Sequence, residues 1–180
     1  MSFVVAPIVE GHGDVAAVPL LLRRMAPELA VARPVRCPRT RVVRNDYLIR
    51  MARIANANIQ DRGAVLVLFD ADQDCAAQLG PELESELAKS FPDRLCRVVL
   101  AVRGFEAWIA GGDASYGLDD ADSAGNLKSR IRQANNGLYQ KTVDQPKLIA
   151  KADLTRLGQV SRSFGKLFKV VGEFVRASQS

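Results

Sequence analysis

The apolar positions of this chain switch repeatedly between strand-like and helix-like spacing. Residues 3–9 form a short apolar run rich in β-branched side chains, which predicts a buried strand. Glu10-Gly11-His12-Gly13-Asp14 reads as a loop, and Asp14 caps a helix to about residue 29. Val15, Val18, Leu22, Met25 and Leu29 give that helix its stripe, and Pro19 predicts a kink in it. A second strand is expected over 35–44, with Pro38 marking an edge or a break. Asp46 then starts a helix to about 58, striped by Leu48, Ile49, Met51 and Ile54. After Gly63, residues 64–69 are continuously apolar, as a central parallel strand should be. A helix over 81–91 with Pro81 in its first turn, a strand over 95–102 and a short helix over 105–109 follow.

Residues 111–125 read as a polar loop. Helices are expected over 126–134 and 146–152, and Val160, Phe164, Leu167, Phe168, Val171 and Phe174 predict an amphipathic helix over 158–175. Strands alternating with helices imply the α/β class: a mostly parallel central sheet, helices on both faces, and a helical C-terminal extension. The 180 residues suit a single domain, with its core at about 1–112 and the extension at about 123–180. No repeat, low-complexity tract or linker interrupts it.

Composition narrows the setting. No apolar run approaches the roughly 20 residues that span a bilayer, and the first residues lack the basic and apolar regions of a signal peptide. Three widely spaced cysteines, Cys37, Cys75 and Cys96, fit neither a zinc pattern nor a disulfide framework, so reduced thiols in a cytoplasm are expected. The net charge of +5 is unevenly distributed: residues 1–53 carry +5, 54–122 carry −8 and 123–180 carry +8. An acidic middle between basic flanks suits a metal site framed by phosphate-binding surface; solvated faces are the plainer reading.

Two acidic motifs end the two most strand-like runs: Glu10 through Asp14, and Asp70-Ala71-Asp72-Gln73-Asp74. Ligands of open α/β sheets sit beyond the carboxyl ends of the strands, so neighbouring strands would bring both motifs to one crevice. Asp70 and Asp72 share a direction where the backbone stays extended. Crowded carboxylates resist ionising, and Mg²⁺ or Mn²⁺, taking a few carboxylates together with water and phosphate, relieves that cost. Glu10, Asp70 and Asp72 are therefore the expected metal ligands, while Asp14 and Asp74 also suit plain capping or turn roles. His12, the only histidine, suits a base, a phosphate contact or an exposed loop residue. Glu106, in Arg103-Gly104-Phe105-Glu106-Ala107-Trp108, is a second-metal ligand, a base, or a helix-start acid complementing the dipole. Trp108 reads as a core anchor.

The motifs resemble the TOPRIM domain of topoisomerases, primases and the overcoming-lysogenization-defect nucleases. Glu10-Gly11 matches its Glu-Gly loop, Asp70-Ala71-Asp72 its Asp-x-Asp, and Asp14 the additional acid of the nuclease branch. Phe105-Glu106-Ala107-Trp108, residues 139–148 and Ser163-Phe164-Gly165-Lys166-Leu167 extend a resemblance, over nearly the whole chain, to a smaller bacterial family related to TOPRIM proteins. The resemblance implies a TOPRIM-like, Rossmann-like sheet, a nuclease-like metal site including Glu10, Asp14, Asp70 and Asp72, and an ATPase partner within a defence or DNA-processing system. In the tail, Lys141, Lys147, Lys151, Arg156, Arg162 and Lys166 suit a phosphate path, and Lys166 is the expected transition-state cation.

The expected function is therefore Mg²⁺-dependent phosphodiester hydrolysis on nucleic acid, DNA before RNA, with Glu10, Asp70, Asp72, Glu106 and Lys166 as catalytic residues. A homodimer is compatible with this, and a membrane is not expected. The alternative is a non-catalytic nucleic-acid-binding or regulatory subunit of an ATPase. A third reading makes Asp70 the nucleophile of a phosphatase.

Overall fold

The computed structural model describes residues 2–38 and 45–180. Its elements run β1 (Val4–Val9), α1 (His12–Met25), β2 (Ala30–Val31), β3 (Val35–Arg36), α2 (Asn45–Ala57), β4 (Gly63–Asp70), α3 (Ala76–Ser90) and β5 (Leu95–Ala101). There follow α4 (Phe105–Gly111), a 3₁₀ turn at Ala114–Tyr116, α5 (Leu127–Ala134), α6 (Lys141–Lys151), α7 (Leu154–Val160) and α8 (Arg162–Gln179). The fold is α/β, and every pairing in the described sheet is parallel. β4 lies between β1 and β5, while the short β2 and β3 both pair with β1. No helix among the described residues is long and apolar enough to cross a membrane.

The strands are apolar throughout because both faces are covered. On one face Val5, Val9, Leu66, Leu68 and Val99 pack with α1, α4 and α8. On the other, Ala6, Ile8, Val65, Val67, Phe69 and Val98 pack with α2 and α3. The odd-even division follows the pleat. Phe164, Leu167, Val170, Val171 and Phe174 of α8 belong to the first of these cores. The C-terminal helices thus complete one layer of the sandwich, and α6 lies along α1.

Several boundaries differ from the sequence expectation. α3 begins at Ala76 and α6 at Lys141, so Pro81 and Pro146 sit inside their helices instead of opening them. At α6 the reason is local: the Asp144 carboxylate accepts the Gln140 N–H at 2.7 Å, capping the chain a turn earlier. Ile54 is 51% exposed, and the buried stripe of α2 is instead Leu48, Met51, Ala52 and Ala55. The strand expected over 35–44 pairs only at Val35–Arg36, and 39–44 lie outside the described residues.

The single helix expected over 158–175 is broken at Ser161. Its hydroxyl accepts the Phe164 N–H at 3.1 Å and starts α8. Buried Asp122 fixes the break: it accepts the Ser161 hydroxyl at 2.8 Å, and the Ser163 amide and hydroxyl at 2.8 and 2.9 Å. Trp108 donates its indole N–H to the Ser163 hydroxyl at 2.9 Å and stacks edge-on to Phe164, so it is a core anchor, as expected. The loop read as polar therefore carries a buried hub.

Candidate active site

Asp70 is the last residue of β4 and pairs with Ala101 at the end of β5. The chain then turns through Arg103 and Gly104, both with positive φ, of 61° and 82°. That turn starts α4 directly beside Asp70, whose Oδ1 accepts the Phe105 N–H at 2.9 Å. Gly104 is favoured by its φ, and the space beside it is tight. A Cβ there would lie 3.2 Å from Asp70 Oδ2 and 3.4 Å from Glu106 Oε2. The two carboxylates therefore flank one point on the backbone, side by side.

Lys141, at the first residue of α6, reaches between them. Its ammonium lies 3.1 Å from Glu106 Oε1 and 3.9 Å from Asp70 Oδ2. Tyr139 donates its hydroxyl to the same Glu106 oxygen at 3.4 Å. Burial pushes the Asp70 carboxyl up to about 7; Lys141 opposes this, while Asp14, Glu106 and Glu10 add to it. Burial also works against the Lys141 charge, yet Glu106 and Asp70 outweigh it and hold the ammonium above its ordinary value. The Tyr139 hydroxyl is pushed strongly up by burial and by Glu106, so it stays a donor.

Asp14 does not open into this cleft. Its Oδ2 accepts the Gly11 N–H at 2.8 Å and its Oδ1 accepts the Gln145 amide at 2.5 Å, so it caps α1 and ties α6 to it. Gly13 is the contact point of those two helices: an added Cβ would meet the Lys141 carbonyl at 2.7 Å and Gln145 Oε1. The backbone at Gly13 is thus covered by α6. His12 is exposed, with Nε2 against the Arg36 guanidinium.

Glu10 follows Val9, the last residue of β1, which is level with Leu68. Burial and then the Glu10 charge raise the Cys37 thiol, and Glu10 also adds to the rise of Asp70, behind burial, Asp14 and Glu106. Asp72 has left the strand, with φ 50°, and is exposed on the rim of the Asp70 cleft. Asp74 is also exposed. Lys166 lines a separate groove with Pro81, Asp122 and Arg162, so Lys141 takes the place beside the carboxylates that Lys166 was expected to hold. Tyr139 and Gln145 carry no sequence signal of their own beyond the 139–148 motif.

The cleft over Asp70 and Glu106 has a volume of about 380 Å³, and its rim includes Asp72, Arg103, Lys128 and Lys141. No family model, curated protein or solved structure matches this chain. The likeness to TOPRIM proteins rests on the motifs alone. Among the described residues no three His, Cys, Asp or Glu side chains converge closely enough to hold a metal as they stand. Two adjacent carboxylates still fit Mg²⁺, which commonly takes one or two and completes its shell with water and phosphate.

Proposed function

We propose that this protein is a TOPRIM-like, Mg²⁺-dependent phosphodiesterase acting on nucleic acid, with Asp70 and Glu106 at its centre. The observation that carries the reading is geometric: the recessed Asp70 and Glu106 carboxylates flank Gly104 with the Lys141 ammonium between them, and burial first, then the Asp14, Glu106 and Glu10 charges, raise the Asp70 carboxyl against Lys141. Such an arrangement gains from a further cation. Asp70 and Glu106 would hold the ion, with Asp72 on the rim of the same cleft and the charges of Asp14 and Glu10 also acting on Asp70. A bound Mg²⁺ supplies Lewis-acid polarisation of a phosphoryl oxygen and a more acidic water. Lys141 stabilises charge that develops on the phosphate, and Tyr139 orients Glu106. Arg103 and Lys128 attract the strand from the rim.

The test is cleavage of plasmid and single-stranded DNA in Mg²⁺ or Mn²⁺. Asp70→Asn and Glu106→Gln should each lower the rate by roughly 10²–10³-fold, as loss of a transition-state electrostatic contact does. Cutting that persists in both variants would overturn the assignment.

A second reading, a non-catalytic nucleic-acid-binding or regulatory subunit of an ATPase, is favoured by one feature: Lys141 already bridges both carboxylates. On that reading the acids are a structural ion pair. DNA binding unchanged in Asp70→Asn, with no turnover by the native chain, would select it.

A further inference from the structure

Lys166 stands apart from the acid pair, and the groove it lines has a chemistry of its own. This groove, of about 440 Å³, lies where the starts of α3 and α8 meet the end of β5. Ala76, Pro81, Leu100 and Val102 make part of its lining apolar, and Arg162 and Lys166, one turn apart on α8, add two exposed cations. Arg162 is fixed from both sides, because Ser161 and Ser163 each bond the buried Asp122 carboxylate. Asp122 is the acid in the groove lining, and those bonds occupy both of its oxygens. Lys166 reaches over α3, its ammonium 3.5 Å from the position of a Cβ on Gly80. Neither cation has an ion pair among the described residues. Exposed Asp120, bonded to the Ser123 hydroxyl, feels the Arg162 charge without pairing with it. The groove also adjoins the cleft over Asp70 and Glu106. Val102 lines the groove and Arg103 the cleft, and consecutive Cα atoms are only about 3.8 Å apart. Asp122 and Ala124 repeat the relation on the following loop.

We propose that Arg162 and Lys166 anchor the nucleic-acid strand by its phosphates beside the scissile one, an assignment that rests on the phosphodiesterase reading. The cleft cannot supply this anchorage alone. Asp70, Glu106 and Asp72 all line it, so a phosphate arriving there meets repulsion until a metal ion is bound. Contacts away from the reacting group can hold a substrate in place against such a cost. The adjoining groove offers them: two cations that no acid of the chain engages, one of them a guanidinium able to grip a phosphate through two N–H groups. Its apolar lining gives the sugar and base of the same nucleotide a surface to cover, which a bare inorganic anion would leave open. The strand then crosses the chain at Val102 and Arg103, with its anchor on one side and the acid pair on the other.

The test measures binding of a labelled single-stranded oligodeoxynucleotide in Ca²⁺ by fluorescence anisotropy over a salt series, with cleavage in Mn²⁺ read separately. Arg162→Ala/Lys166→Ala should weaken binding at least about tenfold and lower the slope of log Kd against log salt by about 1.4, two phosphate contacts at about 0.7 each. Arg162→Lys/Lys166→Arg keeps both charges and should restore most of the affinity. Lys169→Ala/Arg176→Ala removes the same charge from exposed positions of the same helix outside the groove, and should change the slope by less than about 0.3. Thermal melts confirm that each variant is folded. Equal losses in the two double-alanine variants, or no loss in either, would overturn the anchor, and cleavage by the native chain would then leave hydrolysis standing. Inorganic phosphate is titrated by calorimetry as a second probe. If its binding alone depended on Arg162 and Lys166, the groove would be a small-anion site and the strand anchor would be overturned. A loss of oligonucleotide binding specific to Arg162 and Lys166, with no cleavage by the native chain, would retain the anchor and reject hydrolysis.

Discussion

Replacing Gly104 with alanine tests whether backbone and carboxylates are packed as one unit at the sheet edge. Gly104 has φ 82° and ψ 175°, a region open essentially to glycine, so a side chain there costs about 1–3 kcal/mol in backbone strain. The new Cβ would also lie 3.2 Å from Asp70 Oδ2 and 3.3 Å from Asp70 Cγ. Asp70 can retreat only by stretching its 2.9 Å bond from the Phe105 amide, which adds about 1 kcal/mol. The total is about 2–4 kcal/mol. For a chain of this size that lowers Tm by roughly 5–15 °C. Gly117→Ala provides the comparison, since Gly117 has φ 59° but nothing within 4 Å of an added Cβ, and it should cost only the backbone part, about 1 kcal/mol. Urea and thermal unfolding followed by circular dichroism measure both. If Gly104→Ala proved no more destabilising than Gly117→Ala, the carboxylate packing described for this turn would be refuted.

Three further outcomes follow from the same geometry. Asp122→Ala removes three buried hydrogen bonds and leaves the Ser163 amide and the two serine hydroxyl protons without their carboxylate acceptor; a loss of about 3 kcal/mol is expected from urea unfolding, and a loss below 1 kcal/mol would contradict the hub. Asp70, at about 7 in the folded chain against 3.8 as its ordinary value, binds more protons folded than unfolded. Its contribution to stability is therefore complete below about pH 3.8 and is lost as pH rises through 7. Measured in EDTA, the difference between the native chain and Asp70→Asn should change by up to about 4 kcal/mol across that window, and a pH-independent difference would refute the raised carboxyl. Lys141→Met removes the ammonium shared by Glu106 and Asp70. Since the lysine side chain is 40% exposed, screening holds the expected loss at pH 8 to about 1–2 kcal/mol. Added Mg²⁺ should restore more stability to this variant than to the native chain in thermal melts.

The sequence was most legible where one physical signal dominated. β4 reads directly from residues 64–69 because a strand buried on both faces must be apolar at every position. The carboxyl-edge location of Asp70 follows from that strand, and the loop after β5 brings Glu106 to the same edge. The helix starts at Ala76 and Lys141 were hidden by Pro81 and Pro146, which normally mark a first turn but here sit further in. Lys141 itself could not be chosen over Lys166 from the chain, because the choice depends on how α6 lies across α1. That contact is made at Gly13 and Gln145, more than a hundred residues apart. The break at Ser161 likewise depends on Asp122, in a segment whose polarity suggested only a loop.

The most direct measurement of the central claim is an anomalous difference map from crystals soaked in Mn²⁺. The account predicts a peak between the Asp70 and Glu106 carboxylates, with the Lys141 ammonium displaced from its present position and no such peak in Asp70→Asn crystals. A map without a peak there, and with Lys141 still bridging both carboxylates, would contradict it.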